Sequence, residues 1–142
     1  MRDKALIDSN ILVYAFDTSD VKKYNDADSF LLSAIESRNA VLSVQNLAEF
    51  YVNITRAKKG VKGLTQEFAG EVVQRFTEAF PIISYDGKTV LDAIVLQMDC
   101  GIHFWDALLA STMLANNIRV IYTENTKDFS KVSGIKAKNP FE

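Results

Sequence analysis

The chain is poor in the residues from which many small proteins build catalytic and structural chemistry: it holds one cysteine, Cys100, and one histidine, His103. A single thiol forms no intramolecular disulfide, and neither a multi-thiol zinc site nor a centre of several imidazoles is available. The patterns G-x-x-x-x-G-K-[ST], G-x-G-x-x-G and G-x-S-x-G are all missing, which removes support for a phosphate-cradling loop, a dinucleotide fingerprint or a nucleophile elbow. No apolar run approaches the length of about 18 residues needed to span a bilayer, and no N-terminal apolar stretch follows basic residues. The expectation is a cytoplasmic protein without a membrane span. Charge of one sign is lacking too, since 16 basic side chains stand against 18 acidic ones for a net −2. That balance excludes a uniformly basic nucleic-acid coat.

Carboxylates are what remains in quantity. With 142 residues, 48% of them apolar, the chain is long enough to bury a core without disulfides or structural metal, and one domain over residues 1–142 is expected. Short apolar runs at Lys4–Ile7, Val41–Leu42, Ile82–Ile83 and Arg119–Tyr122 read as strands, with a further small one near Ile135–Ala137. Between them lie helical patterns at Ile11–Phe16, Asn25–Arg38, Val44–Lys58, Thr65–Ala79, Lys88–Asp99 and Phe104–Ala115. Asp86 suits an N-cap and Gly101 a helix stop. This alternation predicts a three-layer α/β/α sandwich around a mostly parallel sheet. Ligands of such sheets bind outside the carboxyl ends of the strands, where Asp8 and the segment Thr123-Glu124-Asn125 belong.

The acidic positions carry different local signals. Asp8 follows the first strand directly and is either an N-cap or a site residue. Glu49 falls opposite the apolar stripe Leu47, Phe50, Tyr51, Ile54, so a solvated glutamate is the simpler local reading; yet Glu49, Asn53 and Arg56 share one polar face that would also line a cleft. Asp106 shares a face with Leu109, Ala110 and Met113, which predicts a buried carboxylate in need of a partner; a first-turn acid on the helix dipole is the alternative. Asp92 and Asp99, by contrast, flank the stripe Leu91, Ile94, Val95, Met98 and read as surface charges. In Thr123–Phe129 the hydroxyl, amide and two carboxylates are metal-shell candidates, with Asp128 and Asn125 ahead of Glu124, and a backbone-bonded turn is the competing account. Residues 50–66 contain Arg56, Lys58, Lys59 and Lys62 and no acid, a patch suited to phosphate or to a solvated helix end. His103 and Trp105 suggest a base and a stacking platform, but a lone histidine near a helix start is more often structural, and neither is assigned to catalysis.

In combination, Leu6-Ile7-Asp8-Ser9-Asn10, Asn46-Leu47-Ala48-Glu49-Phe50, Trp105-Asp106-Ala107-Leu108-Leu109-Ala110 and Thr123-x-Asn125-x-x-Asp128-Phe129 resemble a PIN domain over essentially the whole chain. Length and motif order are similar to the VapC-type toxins of type II toxin-antitoxin modules. The resemblance implies a Mg²⁺-dependent ribonuclease, with Mn²⁺ as a substitute, leaving 5′-phosphate and 3′-hydroxyl ends. It matches Asp8, Glu49 and Asp106 to the first three acids, Asn10 and Thr123 to polar companions, and either Asn125 or Asp128 to the fourth acidic position. It also implies a cognate antitoxin and a homodimer, for which the stretches Leu31–Ile35 and Phe68–Phe76 are candidate surfaces.

Elementary electrostatics supports a cation here. Two carboxylates about 4 Å apart repel by roughly 4 kcal/mol at an effective dielectric near 20, so such a cluster favours protonation or a divalent ion. Mg²⁺ takes one or two carboxylates and retains water, which suits Asp8 and Asp106 as ligands with Glu49 and Asp128 further out. Arg56, Lys58, Lys59 and Lys62 would hold the RNA backbone. Two other classes compete: a Mg²⁺-dependent phosphatase or phosphotransferase using Asp8 as nucleophile, although Asp8-Ser9-Asn10 lacks the second acid of D-x-D, and a catalytically silent module binding RNA or protein.

Overall fold

In the computed structural model, which describes residues 4–58 and 60–142, the first apolar run forms β1 (Ala5–Ile7). Next come α1 (Ser9–Tyr14), α2 (Val21–Ser37), β2 (Ala40–Ser43), α3 (Val44–Thr55), α4 (Gln66–Ala79) and β3 (Ile82–Ile83). The chain continues through α5 (Gly87–Cys100), α6 (Phe104–Ala115), β4 (Val120–Tyr122), α7 (Thr126–Phe129) and β5 (Lys136–Lys138). The strands form one parallel sheet in the order β3-β2-β1-β4-β5. Because β2 and β4 flank β1 on opposite sides, the direction of winding reverses between β1 and β4, and a crevice opens there at the strands' carboxyl ends.

Strand pleating sends alternate residues to opposite faces, and the two cores follow. Leu6, Val41 and Ile121 pack with Ala93 of α5, Leu108, Leu109 and Met113 of α6 and Phe129 of α7. Ile7 and Leu42 pack on the other face with Ile11, Leu31, Phe50, Val72 and Phe76 from α1 to α4. The sandwich is therefore three-layered. From Ala107 to Met113, α6 is buried on every side, as an all-round apolar helix must be. The edge strand β5 carries Lys136 and Lys138, both exposed, which discourages pairing with another sheet.

Helix ends are set by local chemistry. Asp86 caps α5 through Thr89 N–H, and Gly101 closes it with φ 71°, a left-handed conformation natural to glycine. Ser43 and Asn46 make a reciprocal capping box at α3. Three sequence expectations need correction. The third helix ends at Thr55, not Lys58, because Lys58 and Val61 exchange backbone hydrogen bonds in a tight reversal and Leu64 N–H donates to the Ile54 carbonyl. Thr126–Phe129, expected as turn or loop, is one helical turn anchored by buried Phe129. The stripe Leu91, Ile94, Val95, Met98 faces outward, with Leu91 65% and Met98 72% exposed. Thr89 and Ala93 occupy the buried side of α5 instead. Of the two candidate association surfaces, Leu31, Val72 and Phe76 are core, whereas Leu32, Ile35 and Phe68 are exposed.

Gly63 fixes how the basic loop returns to α3: a Cβ there would fall on the Thr55 carbonyl and the Arg56 nitrogen. A Cβ on Gly70, within α4, would meet nothing. Gly63→Ala is expected to cost about 1–3 kcal/mol by overpacking, and Gly70→Ala to add about 0.5–1 kcal/mol by lowering unfolded-state entropy. Urea midpoints of the two variants should move in opposite directions.

Candidate active site

The carboxyl ends of β1 and β4 lie side by side, with Ile7 in register with Tyr122 and Asp8 N–H donating to the Tyr122 carbonyl. That pairing fixes the residues that follow each strand. Asp8 is 8% exposed and also caps α1; the local alternatives of cap and site residue are met by one side chain. Its Oδ1 accepts from Ser9 N–H at 2.8 Å and its Oδ2 from the Thr123 hydroxyl at 2.7 Å. Burial, partly offset by these bonds and reinforced by the charge of Asp106, raises its pKa from 3.8 to about 6.

The hydrogen-bond chain extends both ways. Ser9 Oγ donates to Glu49 Oε1 at 3.4 Å. Glu49 is half-buried rather than solvated, and desolvation followed by the charge of Asp8 raises its pKa. In the other direction, Thr123 Oγ1 accepts from Asn125 N–H at 3.0 Å. The Asn125 side-chain amide then donates to Asp106 Oδ2 at 3.0 Å and Asp128 Oδ2 at 3.3 Å. Asp106, in the first turn of α6, is half-buried and has its pKa raised by desolvation first and by Asp128 second. Asp128 is also 3.6 Å from Lys131 Nζ. Glu49, Asp8, Asp106 and Asp128, far apart in sequence, are thus linked through Ser9, Thr123 and Asn125.

Some nearby residues stand apart from this chain. Glu124 turns away, accepting from Tyr14 OH and pairing with Lys23 Nζ, each at 2.7 Å. His103 caps α6, accepting from Trp105 N–H. Asn10 lies in α1, where its buried Oδ1 has no hydrogen-bond partner among the described residues. Arg56, Lys58 and Lys62 are exposed and line a cavity beyond the end of α3, whereas Lys59 lies outside the described residues. Trp105, not assigned to catalysis from the sequence, is 51% exposed. The one signal in the sequence is an aromatic residue adjacent to Asp106, and that says nothing of exposure.

A family model, the PIN domain, matches residues 5–135. The chain belongs to the PIN domain family. Its fold is similar to a chain of the VapBC2 complex of Rickettsia felis bound to promoter DNA, with 23% identity, TM-score 0.67 and coverage of 95% of this chain and 97% of that one. A chain of FitAcB from Neisseria gonorrhoeae gives 17% identity and TM-score 0.69, with 97% and 99% covered. VapC20 of Mycobacterium tuberculosis, a sarcin-ricin-loop-cleaving toxin, gives 13% identity and TM-score 0.68, with 89% and 94% covered. No curated protein matches the chain significantly.

The donors present fit a hard divalent cation. Among the described residues no three acid, histidine or cysteine groups form a preassembled cage, which is compatible with Mg²⁺ because that ion keeps much of its water. Asp8, dehydrated and repelled by Asp106, supplies anionic oxygen at which a cation relieves an electrostatic cost.

That cost also fixes a pH dependence. The folded pKa of Asp8 lies above the unfolded value, so its contribution is most favourable below about pH 4. It is lost as pH rises through 6, leaving a penalty on the order of 3 kcal/mol above that. In EDTA, Asp8→Asn is expected to be more stable than the parent at pH 7 by up to that amount, with the difference closing toward pH 4. Denaturation curves at several pH values check this.

Proposed function

We propose that this chain is a Mg²⁺-dependent endoribonuclease and the toxin of a type II toxin-antitoxin pair, acting in the cytoplasm as a single nuclease domain over residues 1–142. The observation carrying this reading is the linked run of Glu49, Asp8, Asp106 and Asp128 at the reversal between β1 and β4. Membership of the PIN family and folds shared with the VapBC2 and FitAcB chains support it.

Asp8 and Asp106 are assigned as the residues that hold the cation. Mg²⁺, when bound, neutralises phosphate charge and makes water more acidic; Mn²⁺ supplies the same chemistry. Glu49 Oε1, half-dehydrated and raised in pKa, receives a proton from the attacking water. The new bond joins water oxygen to phosphorus while the bond to the 3′ oxygen breaks; the departing 3′ oxygen takes a proton from solvent, giving 5′-phosphate and 3′-hydroxyl products. Asn125 holds Asp106 and Asp128 in place, and Thr123 holds Asp8. Asn10 and Asn125 are assigned as polar contacts to the strand being cut, Asn125 through its Oδ1 because its amide nitrogen is engaged by Asp106 and Asp128. Arg56, Lys58 and Lys62 continue from the acids toward the RNA backbone, and Lys59 belongs to the same sequence patch.

The antitoxin is assigned as a protein partner, by extension from complexes of the same fold. A second copy of this chain is assigned to the outward stripe of α5, whose exposed Leu91, Ile94, Val95 and Met98 form one apolar face.

With mixed RNA and Mg²⁺, Asp8→Asn and Asp106→Asn are each expected to lose at least about a hundredfold in cleavage while remaining folded, and EDTA should stop the parent. RNA binding indifferent to EDTA and to both substitutions, with no cutting, would favour the silent module; a phospho-Asp8 adduct would favour the phosphotransferase. Replacing Arg56, Lys58 and Lys62 with Gln should weaken RNA binding and reduce its salt slope by about 0.7 per lost phosphate contact. Val95→Asp should convert dimer to monomer in sedimentation.

A further inference from the structure

Next to the acids lies a groove of about 740 Å³ between α3, the start of α6 and the segment before α5. Its walls include Val44, Val52, Tyr85 and Trp105, and Glu49 and Arg56 lie on the same lining. Trp105 is 51% and Tyr85 39% exposed. Gln45 Nε2 donates to the Trp105 backbone carbonyl at 2.8 Å, tying the first turn of α6 to α3 beneath the groove.

We infer that this groove is a nucleobase subsite, in which an unpaired base beside the scissile phosphate stacks on Trp105. The assignment rests on the ribonuclease reading and extends it to how substrate is held. Two features favour a base over an apolar peptide side chain. An exposed indole is a sequence-tolerant stacking platform. Arg56 lies on the groove lining and also lines the cavity with Lys58 and Lys62, so a phosphate attached to the base finds a cation on a continuous track. Glu49 on the same lining puts this base next to the acid cluster. Such a site selects single-stranded RNA, because a paired and stacked base does not offer its face.

Trp105 is the chain's only tryptophan, so its emission reports the groove directly. Asp8→Asn protein with Mg²⁺ is titrated with hexaadenylate, with an abasic hexamer of equal charge and with a blunt RNA duplex. Hexaadenylate is expected to quench the emission and the other two to leave it unchanged. By polarisation of labelled hexaadenylate, Trp105→Ala should bind about tenfold more weakly, with Trp105→Phe recovering most of the loss. In an otherwise unaltered chain, Trp105→Ala should raise KM for single-stranded RNA more than it lowers kcat. Emission blind to saturating hexaadenylate, or equal affinity of Trp105→Ala, overturns the subsite. A blue shift with an amphipathic leucine-rich peptide and none with RNA also overturns it, in favour of protein docking. Cleavage is scored separately: quenching without any cutting by the parent protein refutes the nuclease and supports the base site, while cutting without quenching refutes the base site alone.

Discussion

The carboxylate of Asp8 sits where water is largely excluded, at the point where the sheet changes its direction of winding, and the surrounding site is arranged around that cost. A dehydrated anion needs donors, and the neighbouring strand end supplies the Thr123 hydroxyl while the next residue supplies Ser9 N–H. Both donors depend on the parallel register of β1 with β4. A slip of one residue would send Asp8 to the other face of the sheet. The two hydrophobic cores that lock this register, Leu6 with Ile121 on one side and Ile7 on the other, thereby set the electrostatics of the crevice.

Much of this architecture was legible because strands and helices of this fold leave strong local marks. Short apolar runs bounded by polar residues located β1 to β4, β5 begins one residue past the expected Ile135, and Asp86 and Gly101 marked both ends of α5. Asp8 and Thr123–Asn125 each follow an expected strand, which placed both at the sheet's carboxyl rim, whereas the strand order that makes β1 and β4 neighbours there is not written in either segment. Other features were hidden for physical reasons. A single turn such as α7 is too short to show a period. The end of α3 is decided by backbone bonds to residues 61 and 64, which no helical pattern encodes.

Apolar periodicity was the least informative signal about facing. In α5 it identified a coherent stripe, yet the helix turns Thr89 and Ala93 inward and leaves the larger side chains out. Glu49 posed the reverse problem: opposition to an apolar stripe suggested water, whereas the polar side of α3 borders the crevice. Trp105 and Glu124 show that hydrophobicity and charge do not settle direction either. The indole emerges to solvent, and the glutamate is drawn aside by Tyr14 and Lys23.

Asn125 has a consequence for how like charges are spaced in the crevice. Its amide lies between Asp106 and Asp128 and donates to both, so part of their mutual repulsion is relieved by a neutral group belonging to the chain itself. A third carboxylate at that position would have offered neither neighbour a donor and added its own repulsion to theirs. The polypeptide thus carries, within its own covalent make-up, a neutral spacer that keeps two anions in company.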